Sequence, residues 1–508
     1  MNAHAQDPST DYRDALWIGG ALFVVSVAIR LWYQNAGLFL FDSVVIAEAV
    51  ERSFESGTLQ GQINGRHGSV LANLALYVPW RLLTGGTSAE QTVLWTNILC
   101  GALAVPAFFG LTSRLMGDRL VAAIAAASFS LSPVYLSVTT YGKPHGLEVL
   151  TLCGALYFVL RARDSGRLRD LVYASTIQGF AILCREAALI LLPLFFLLYF
   201  SPRIQRGWPW LRFAEGSLAP RRLAALLLPL ALIGLVAWVT FLGDVVFQTF
   251  FAPNSKTVGF KSPFEIRSSG IRAGYDLLTD LAYVGLPLAV TGFALCVRNC
   301  KRRDAAVFLL VWAAALIFVG NASGYWPRML APLTPPWFAL SGVALAALIR
   351  RVPWLGWGAT LGFCTMLFVQ IQPVIAFRSE VSGEKAQALW LAERVPSDAL
   401  ILVVDDWVFV EYYTGLETRV HPGARAKLDE QRAFVQSLVE EANAGRPVYA
   451  LDSAFWYDPR QRFRHALRAR FELTNVDHAE FEDYHQSALK LNVLTSKLIR
   501  LSVRAKER

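Results

Sequence analysis

The sequence predicts a polytopic α-helical membrane protein, with about eleven transmembrane helices and a C-terminal soluble α/β domain. Three observations carry that prediction. The 508 residues are 54% hydrophobic and only 17% charged, too apolar for an ordinary soluble chain of this length. Apolar runs of about 18 to 22 residues recur, the length that crosses a bilayer as a helix. After residue 377 the pattern changes to short strands alternating with amphipathic helices.

Residues 1–15 are polar and acidic and read as a cytoplasmic N-terminus. No small-residue cleavage site follows the first apolar run, so no cleavable signal peptide is expected. The spans are read at 16–33, 91–112, 120–138, 146–161, 171–184, 187–200, 223–243, 281–297, 305–320, 329–349 and 355–376. Net charge is +9, and the basic residues gather in short loops between apolar runs. This is the signature of membrane topology, not of nucleic-acid binding.

Five such loops carry Arg114 and Arg119; Arg161 to Arg169; Arg203 to Arg222; Arg298 to Arg303; and Arg350 with Arg351. All fall on one side if the N-terminus is cytoplasmic. Their expected work is orientation and contact with anionic membrane lipids. The parity requires the apolar block 171–200 to go in and return as two short helices. "CREAA", residues 184–188, then sits at their turn. At ~1.5 Å per residue neither short helix fills a ~30 Å core, so Arg185 and Glu186 lie at depth. There they either pair with each other or line a polar cavity.

The outer face then receives loop 34–90, the turn "TTYGKPHGLE" (139–148), loop 244–280 and everything after Phe377. In the first, Ile46, Ala49, Val50 and Phe54 form one apolar stripe, which predicts a helix lying along the membrane interface. In the tail, 398–407, 446–453 and 470–476 read as strands, and 383–395 and 429–445 as helices. The six cysteines all lie in or beside apolar runs, so neither a disulfide framework nor a zinc site is expected. Asp405 and Asp406 follow the "LILVV" strand and read as strand-end or cap residues.

The order of these pieces resembles the GT-C superfamily of membrane glycosyltransferases. The nearest likeness is to the branch of the protein O-mannosyltransferases and the lipid A aminoarabinose transferase. "FDSVVIAEAVERSFESG" looks like that family's acid-plus-helix element after the first span. The stretches beginning "GQINGRHGSV" and "HGLEVLTLCG", and "YWPRMLAPLTPPWF" late in the chain, resemble its first long loop, next core and late span. The likeness runs over about residues 16–376, giving a GT-C-like domain followed by an extracytoplasmic α/β domain at 377–508. There are departures. Asp42-Ser43 stands where the family often has Asp-Glu, and Lys143, His145 and Glu148 stand where a second acid is expected.

The resemblance implies a polyprenyl-phosphate sugar donor, a hydroxyl acceptor on a lipid, glycan or protein, and direct displacement with inversion at the anomeric carbon. A hydroxyl needs a carboxylate to take its proton as the bond forms. Asp42, just past the first span, is the candidate base, although Asp also makes a good N-cap for a helix beginning near Val44. Glu148 is the candidate second acid, or a first-turn carboxylate stabilised by the helix dipole. The leaving phosphate needs cations in a low-dielectric place, for which Arg185, Lys143, Arg66 and Arg328 are candidates. Arg328 also suits a snorkelling anchor. His67, Tyr141, His145 and Glu186 are candidates for sugar contact, with a solvated turn explaining Tyr141 and His145 nearly as well.

No metal or other cofactor is expected, because the Asp-x-Asp and Trp-Trp-Asp patterns of oligosaccharyltransferase relatives are absent. The expected location is the inner (plasma) membrane. A transporter or flippase of lipid-linked sugars, or a ligase joining whole glycans, are the alternatives. A transporter favours internal repeats, and none is evident.

Overall fold

The computed structural model describes residues 8–39, 41–61, 67–189, 191–200, 218–239, 268–299, 302–320, 327–404, 407–420, 428–455, 458, 461–484 and 491–504. These form two compact units. One holds the described residues of 1–34 and 49–376; the other holds 35–48 and the described residues after 376.

The first unit is helical. Its elements are α1 (Pro8–Trp32), the later part of α2 (Phe41–Ser56), α3 (His67–Thr84), α4 (Glu90–Met116), α5 (Arg119–Ser130), α6 (Pro133–Thr139), α7 (His145–Ser165), α8 (Leu168–Cys184), α9 (Leu192–Phe200) and α10 (Pro220–Ala237). Then come α11 (Ser268–Asp280), α12 (Gly285–Arg298), α13 (Arg303–Gly320), α14 (Pro335–Arg351) and most of α15 (Pro353–Glu380). Each of the eleven expected apolar spans overlaps at least one of these helices, with one of them divided between α5 and α6. Five described helices are long and apolar enough to cross a membrane singly, and two bent pairs pass jointly.

The local chemistry sets the ends. Gly117, at φ 61°, closes α4, and the Asp118 carboxylate then accepts from Leu120 N (3.1 Å) and Val121 N (3.3 Å) to start α5. Pro133 lacks the N–H needed to continue α5, so the expected straight span 120–138 bends by 61° into α6. Ser132 caps the new start, its Oγ accepting from Tyr135 N at 3.2 Å. The expected span 281–297 becomes helical only at Gly285, because α11, in the expected outer loop, meets α12 at 88° across a turn of four residues. Hydropathy misses this break because Leu281, Ala282, Tyr283 and Val284 are apolar whether helical or not. The expected span at 329 begins as a helix only at Pro335, after a 3₁₀ turn at Pro327–Leu330. Pro332, Pro335 and Pro336 cannot donate within a helix interior.

Loop 34–90 holds two helices. The α2 stripe does not lie open to an interface: Ile46, Ala49 and Val50 are fully buried. The Phe54 ring stacks edge-on to Tyr77 of α3 at 5.6 Å. Four basic loops far apart in sequence meet at one end of this unit. Asp118 accepts from both Arg302 (2.8 Å) and Arg350 (2.6 Å), and Arg114 pairs with Asp164 at 3.2 Å. Arg222, at the start of α10, stands 3.3 Å from where a Cβ on Gly166 would be, which brings the fifth loop to the same end.

The second unit is α/β. It comprises α16 (Gly383–Ala392), β1 (Leu400–Val403), α17 (Trp407–Thr414), β2 (Glu417–Val420), α18 (Leu428–Asn443), β3 (Val448–Leu451), α19 (Arg462–Arg468), β4 (Phe471–Tyr484) and β5 (Leu491–Val503). The sheet order is β2-β1-β3-β5-β4, with β1 parallel to β2 and β3, and β5 antiparallel to β3 and β4. Alternate residues of β1 and β3 feed two cores. Leu400, Leu402, Val448 and Ala450 pack with α18 and α19; Ile401, Val403, Tyr449 and Leu451 pack with α16 and α17. The sequence pattern missed β2, β5, α17 and α19. It also read β4 at half its length, because the long β4–β5 hairpin is polar and exposed on much of β4.

Candidate functional site

The turn between α6 and α7 is built by Asn97 of α4. Its Nδ2 donates to Val138 O (2.8 Å) and Tyr141 O (2.5 Å), and its Oδ1 accepts from Gly146 N (2.9 Å). The turn closes on itself through Lys143 N to Tyr141 O and His145 N to Lys143 O, both 2.8 Å. At Gly146 the α7 backbone lies so close to α4 that a Cβ would stand 2.6 Å from Asn97 O and from Gly101 N. Only glycine permits that approach. The solvated-turn alternative for Tyr141 and His145 does not hold: both are buried, as is Lys143.

His145 and Glu148 open α7 three residues apart, which puts them on one helix face. Arg185 reaches them from α8. That helix ends at Cys184 because Arg185 is extended, at φ −163° and ψ 132°. The Cys184 carbonyl left over at the helix end accepts from Ser69 Oγ of α3 at 2.8 Å. Gly68 lets α3 come this near, since a Cβ there would meet Leu183 C at 2.8 Å.

Arg185 Nη1 forms an ion pair with Glu148 Oε2 and lies 2.8 Å from His145 Nδ1. His145 Nδ1 is in turn 3.2 Å from Glu148 Oε2. Relative exposures are 7% for Arg185, 3% for Glu148 and 0% for His145. Arg185 therefore pairs with Glu148, 37 residues earlier in the chain. Arg185 Nε and Glu148 Oε1 are buried and have no hydrogen-bond partner among the described residues. Desolvating both charges costs several kcal/mol per ion, which their attraction offsets only when the remaining donors and acceptors are satisfied. This pair is thus poorly explained as a stability device. The Arg185–Glu148 cluster stands at the end of α7 and α8 away from the basic loops, about 24–30 Å along those helices.

The other candidates are placed as follows. His67 opens α3 beside Gly68. It is half-buried, and burial lowers its pKa from the ordinary histidine value. Arg328 is half-buried in the 3₁₀ turn before α14, and Glu186 follows Arg185 in the 3₁₀ turn Glu186–Leu189. Arg66, Asp405 and Asp406 lie outside the described residues.

Asp42 lies in the first turn of α2 and is half-buried. It belongs to the second unit. There, Ala36 N donates to Arg378 O (2.9 Å) and Leu38 N to Tyr413 Oη (2.9 Å). The Phe41 ring lies 5.7 Å from that of Trp407, and the Arg378 guanidinium covers Phe39 at 4.2 Å. The C-terminal unit therefore positions the segment carrying the candidate base.

Sequence reasoning missed Asn97, Arg30 and Asp280. Arg30 of α1 is fully buried and donates to Thr139 Oγ1 (2.8 Å), Ser130 O (3.3 Å) and Ser26. Asp280, at the end of α11, accepts from Ser132 Oγ and Val134 N, both at 2.7 Å, across the α5–α6 break. A charged or amide side chain inside an apolar run is the signal that finds such residues. Among the described residues, no group of three or more His, Cys, Asp or Glu is arranged to hold a metal.

Residues 78–220 match the family model described as dolichyl-phosphate-mannose-protein mannosyltransferase. No curated protein sequence matches the chain. Among solved structures, ArnT from Cupriavidus metallidurans bound to undecaprenyl phosphate is similar over 96% of this chain and 97% of its own, at 13% identity and a TM-score of 0.62. Its apo state is similar over 97% and 98%, at 16% identity and a TM-score of 0.60. The archaeal oligosaccharyltransferase AglB from Archaeoglobus fulgidus, in complex with an inhibitory peptide and a dolichol-phosphate, is similar over 94% of this chain and 74% of its own, at 13% identity and a TM-score of 0.55.

Proposed function

We propose that this chain, which has the GT-C membrane glycosyltransferase fold and resembles the protein O-mannosyltransferase and ArnT branch, is an inverting glycosyltransferase. It moves a sugar from a polyprenyl-phosphate donor to a hydroxyl of a lipid, glycan or protein. The observation that carries this reading is the buried Arg185–Glu148–His145 cluster, whose guanidinium keeps an Nε donor without a partner among the described residues. An arginine in a low-dielectric place suits a phosphate by charge and by its planar donor fork.

In this reading Arg185 holds the leaving phosphate, helped by Lys143, Arg66 and Arg328. Asp42 takes the proton of the attacking hydroxyl. The oxygen–anomeric-carbon bond forms as the carbon–oxygen bond to phosphate breaks, and polyprenyl phosphate departs. Glu148 holds the guanidinium and serves as the second acid. His67, Tyr141, His145 and Glu186 contact the sugar. With the N-terminus cytoplasmic, the basic end of the helical unit faces the cytoplasm and the cluster faces outward. The protein is then a multi-pass protein of the inner membrane.

The two sharply broken helix pairs, at 61° and 88°, favour a second reading as a transporter of lipid-linked sugars. Purified protein in vesicles with a radiolabelled polyprenyl-phosphate sugar and envelope acceptors separates the two. Transfer of label to an acceptor, lowered about 10²–10⁴-fold in Asp42→Asn with donor binding retained, supports the enzyme. Movement of intact donor across the bilayer without transfer overturns it. Mass spectrometry of envelope glycans from a deletion strain identifies the missing sugar and its acceptor.

A further inference from the structure

The basic end of the helical unit is more than a set of orienting loops. A groove of about 2130 Å³ opens there, lined by α1, α4, α7 and α8. Its head carries Arg114, Arg119, Arg161, Arg167, Arg302 and Arg350. Arg114, Arg161, Arg302 and Arg350 pair with only three carboxylates, Asp164, Asp170 and the shared Asp118, so these four alone leave positive charge in excess.

From that head the lining continues as apolar and small residues, including Gly20, Phe23, Leu150, Gly154, Ile177 and Phe180. Along α7 it runs from Arg161 back to Leu147, about 21 Å at the helical rise. That length accommodates a chain reaching through one leaflet of a ~30 Å core. Two glycines keep the trough open. A Cβ on Gly20 would meet nothing within 4 Å, and one on Gly154 only the Ile177 side chain at 3.8 Å.

We propose that this groove binds an anionic glycerophospholipid, with its phosphate head at the arginines and an acyl chain along the glycine-floored trough. Charge complementarity at one end and an apolar channel behind it select an anionic amphiphile over either a free phosphate or a neutral lipid. The arginine head lies at the end of α7 and α8 away from the Arg185–Glu148 cluster, although the trough behind it reaches Leu147 beside Glu148. It does not depend on the chemistry proposed there.

The test uses the full-length protein, purified and delipidated in detergent. Retention of phosphatidylglycerol and phosphatidylcholine is measured by native mass spectrometry, and the unfolding temperature is followed with each lipid. The expected result is retention of phosphatidylglycerol with a raised unfolding temperature, and neither for phosphatidylcholine. Arg114→Gln combined with Arg167→Gln is expected to weaken phosphatidylglycerol retention roughly tenfold or more. Gly20→Leu, whose Cβ would meet no protein atom within 4 Å, is expected to weaken it independently, so misfolding of the arginine variant does not decide the outcome. Equal retention of both lipids, no change in either variant, or displacement of phosphatidylglycerol by undecaprenyl phosphate at equal concentration overturns the proposal.

Discussion

Arg185 and Glu148, 37 residues apart, form a buried ion pair where the C-terminal end of one helix meets the N-terminal turn of another. The pair has two faces. Its shared side is satisfied by the ion pair and His145, while Nε and Oε1 have no partner among the described residues. Removing one member leaves a buried charge, so Arg185→Met is expected to destabilise the protein by about 3–5 kcal/mol. The double change Arg185→Met with Glu148→Leu is expected to recover most of that loss, because no charge is then stranded. Thermal unfolding in detergent measures both. The double variant should fold but transfer no sugar; full transfer by it would make the pair purely structural.

The turn that supplies His145 and Glu148 depends on Asn97 and Gly146. Gly146→Ala would place a methyl group 2.6 Å from backbone atoms of α4, which cannot rotate away. It is expected to cost about 1–3 kcal/mol and to lower transfer by shifting the start of α7. Asn97→Ala removes three hydrogen bonds to buried backbone groups, and a similar or larger loss is expected. Unfolding temperature and single-turnover rate, measured together, show whether site geometry suffers beyond folding.

Asp280 joins the two broken helix pairs through Ser132 Oγ and Val134 N. Asp280→Ala leaves both donors buried without their acceptor and is expected to cost about 2–3 kcal/mol. Ser132→Ala alone is expected to cost less. The two changes together should show a coupling of about 0.5–3 kcal/mol in a double-mutant cycle. Strict additivity would show that the observed contact does not hold the bends together.

Asp118 gives a pH signature. Burial pushes its carboxyl up, but hydrogen bonds from Arg350, Arg302 and Val121 N outweigh that and hold it below the ordinary carboxylate value. With the folded pKa below the unfolded one, the stabilisation is present above the unfolded value, about 3.9, and is lost as pH falls through the lower folded value. The difference in unfolding temperature between wild type and Asp118→Asn should therefore be constant from about pH 8 to pH 5 and shrink below about pH 4. A difference that shrinks on raising the pH would contradict the assignment.

The sequence by itself determined the apolar spans, the gathering of the basic loops at one end and the switch to an α/β tail. These follow from hydropathy, charge and short-range periodicity, which are local properties of the chain. It also singled out Arg185 and Glu186 as charges at costly depth, and named His145 and Glu148 as candidates without placing them there. What it did not determine is who meets whom. No local pattern pairs Arg185 with Glu148, 37 residues earlier; Gly146, Gly68 and Asn97 set the approach of α3, α4, α7 and α8 that makes the ion pair. The bends at Pro133 and at residues 281–284 were likewise hidden, since an apolar run reads the same straight or broken. The segment carrying Asp42 joined the C-terminal unit through Arg378, Tyr413 and Trp407, more than 330 residues further along. Such partnerships are decided by packing among distant elements, where the fit of a glycine or a buried amide outweighs any local pattern.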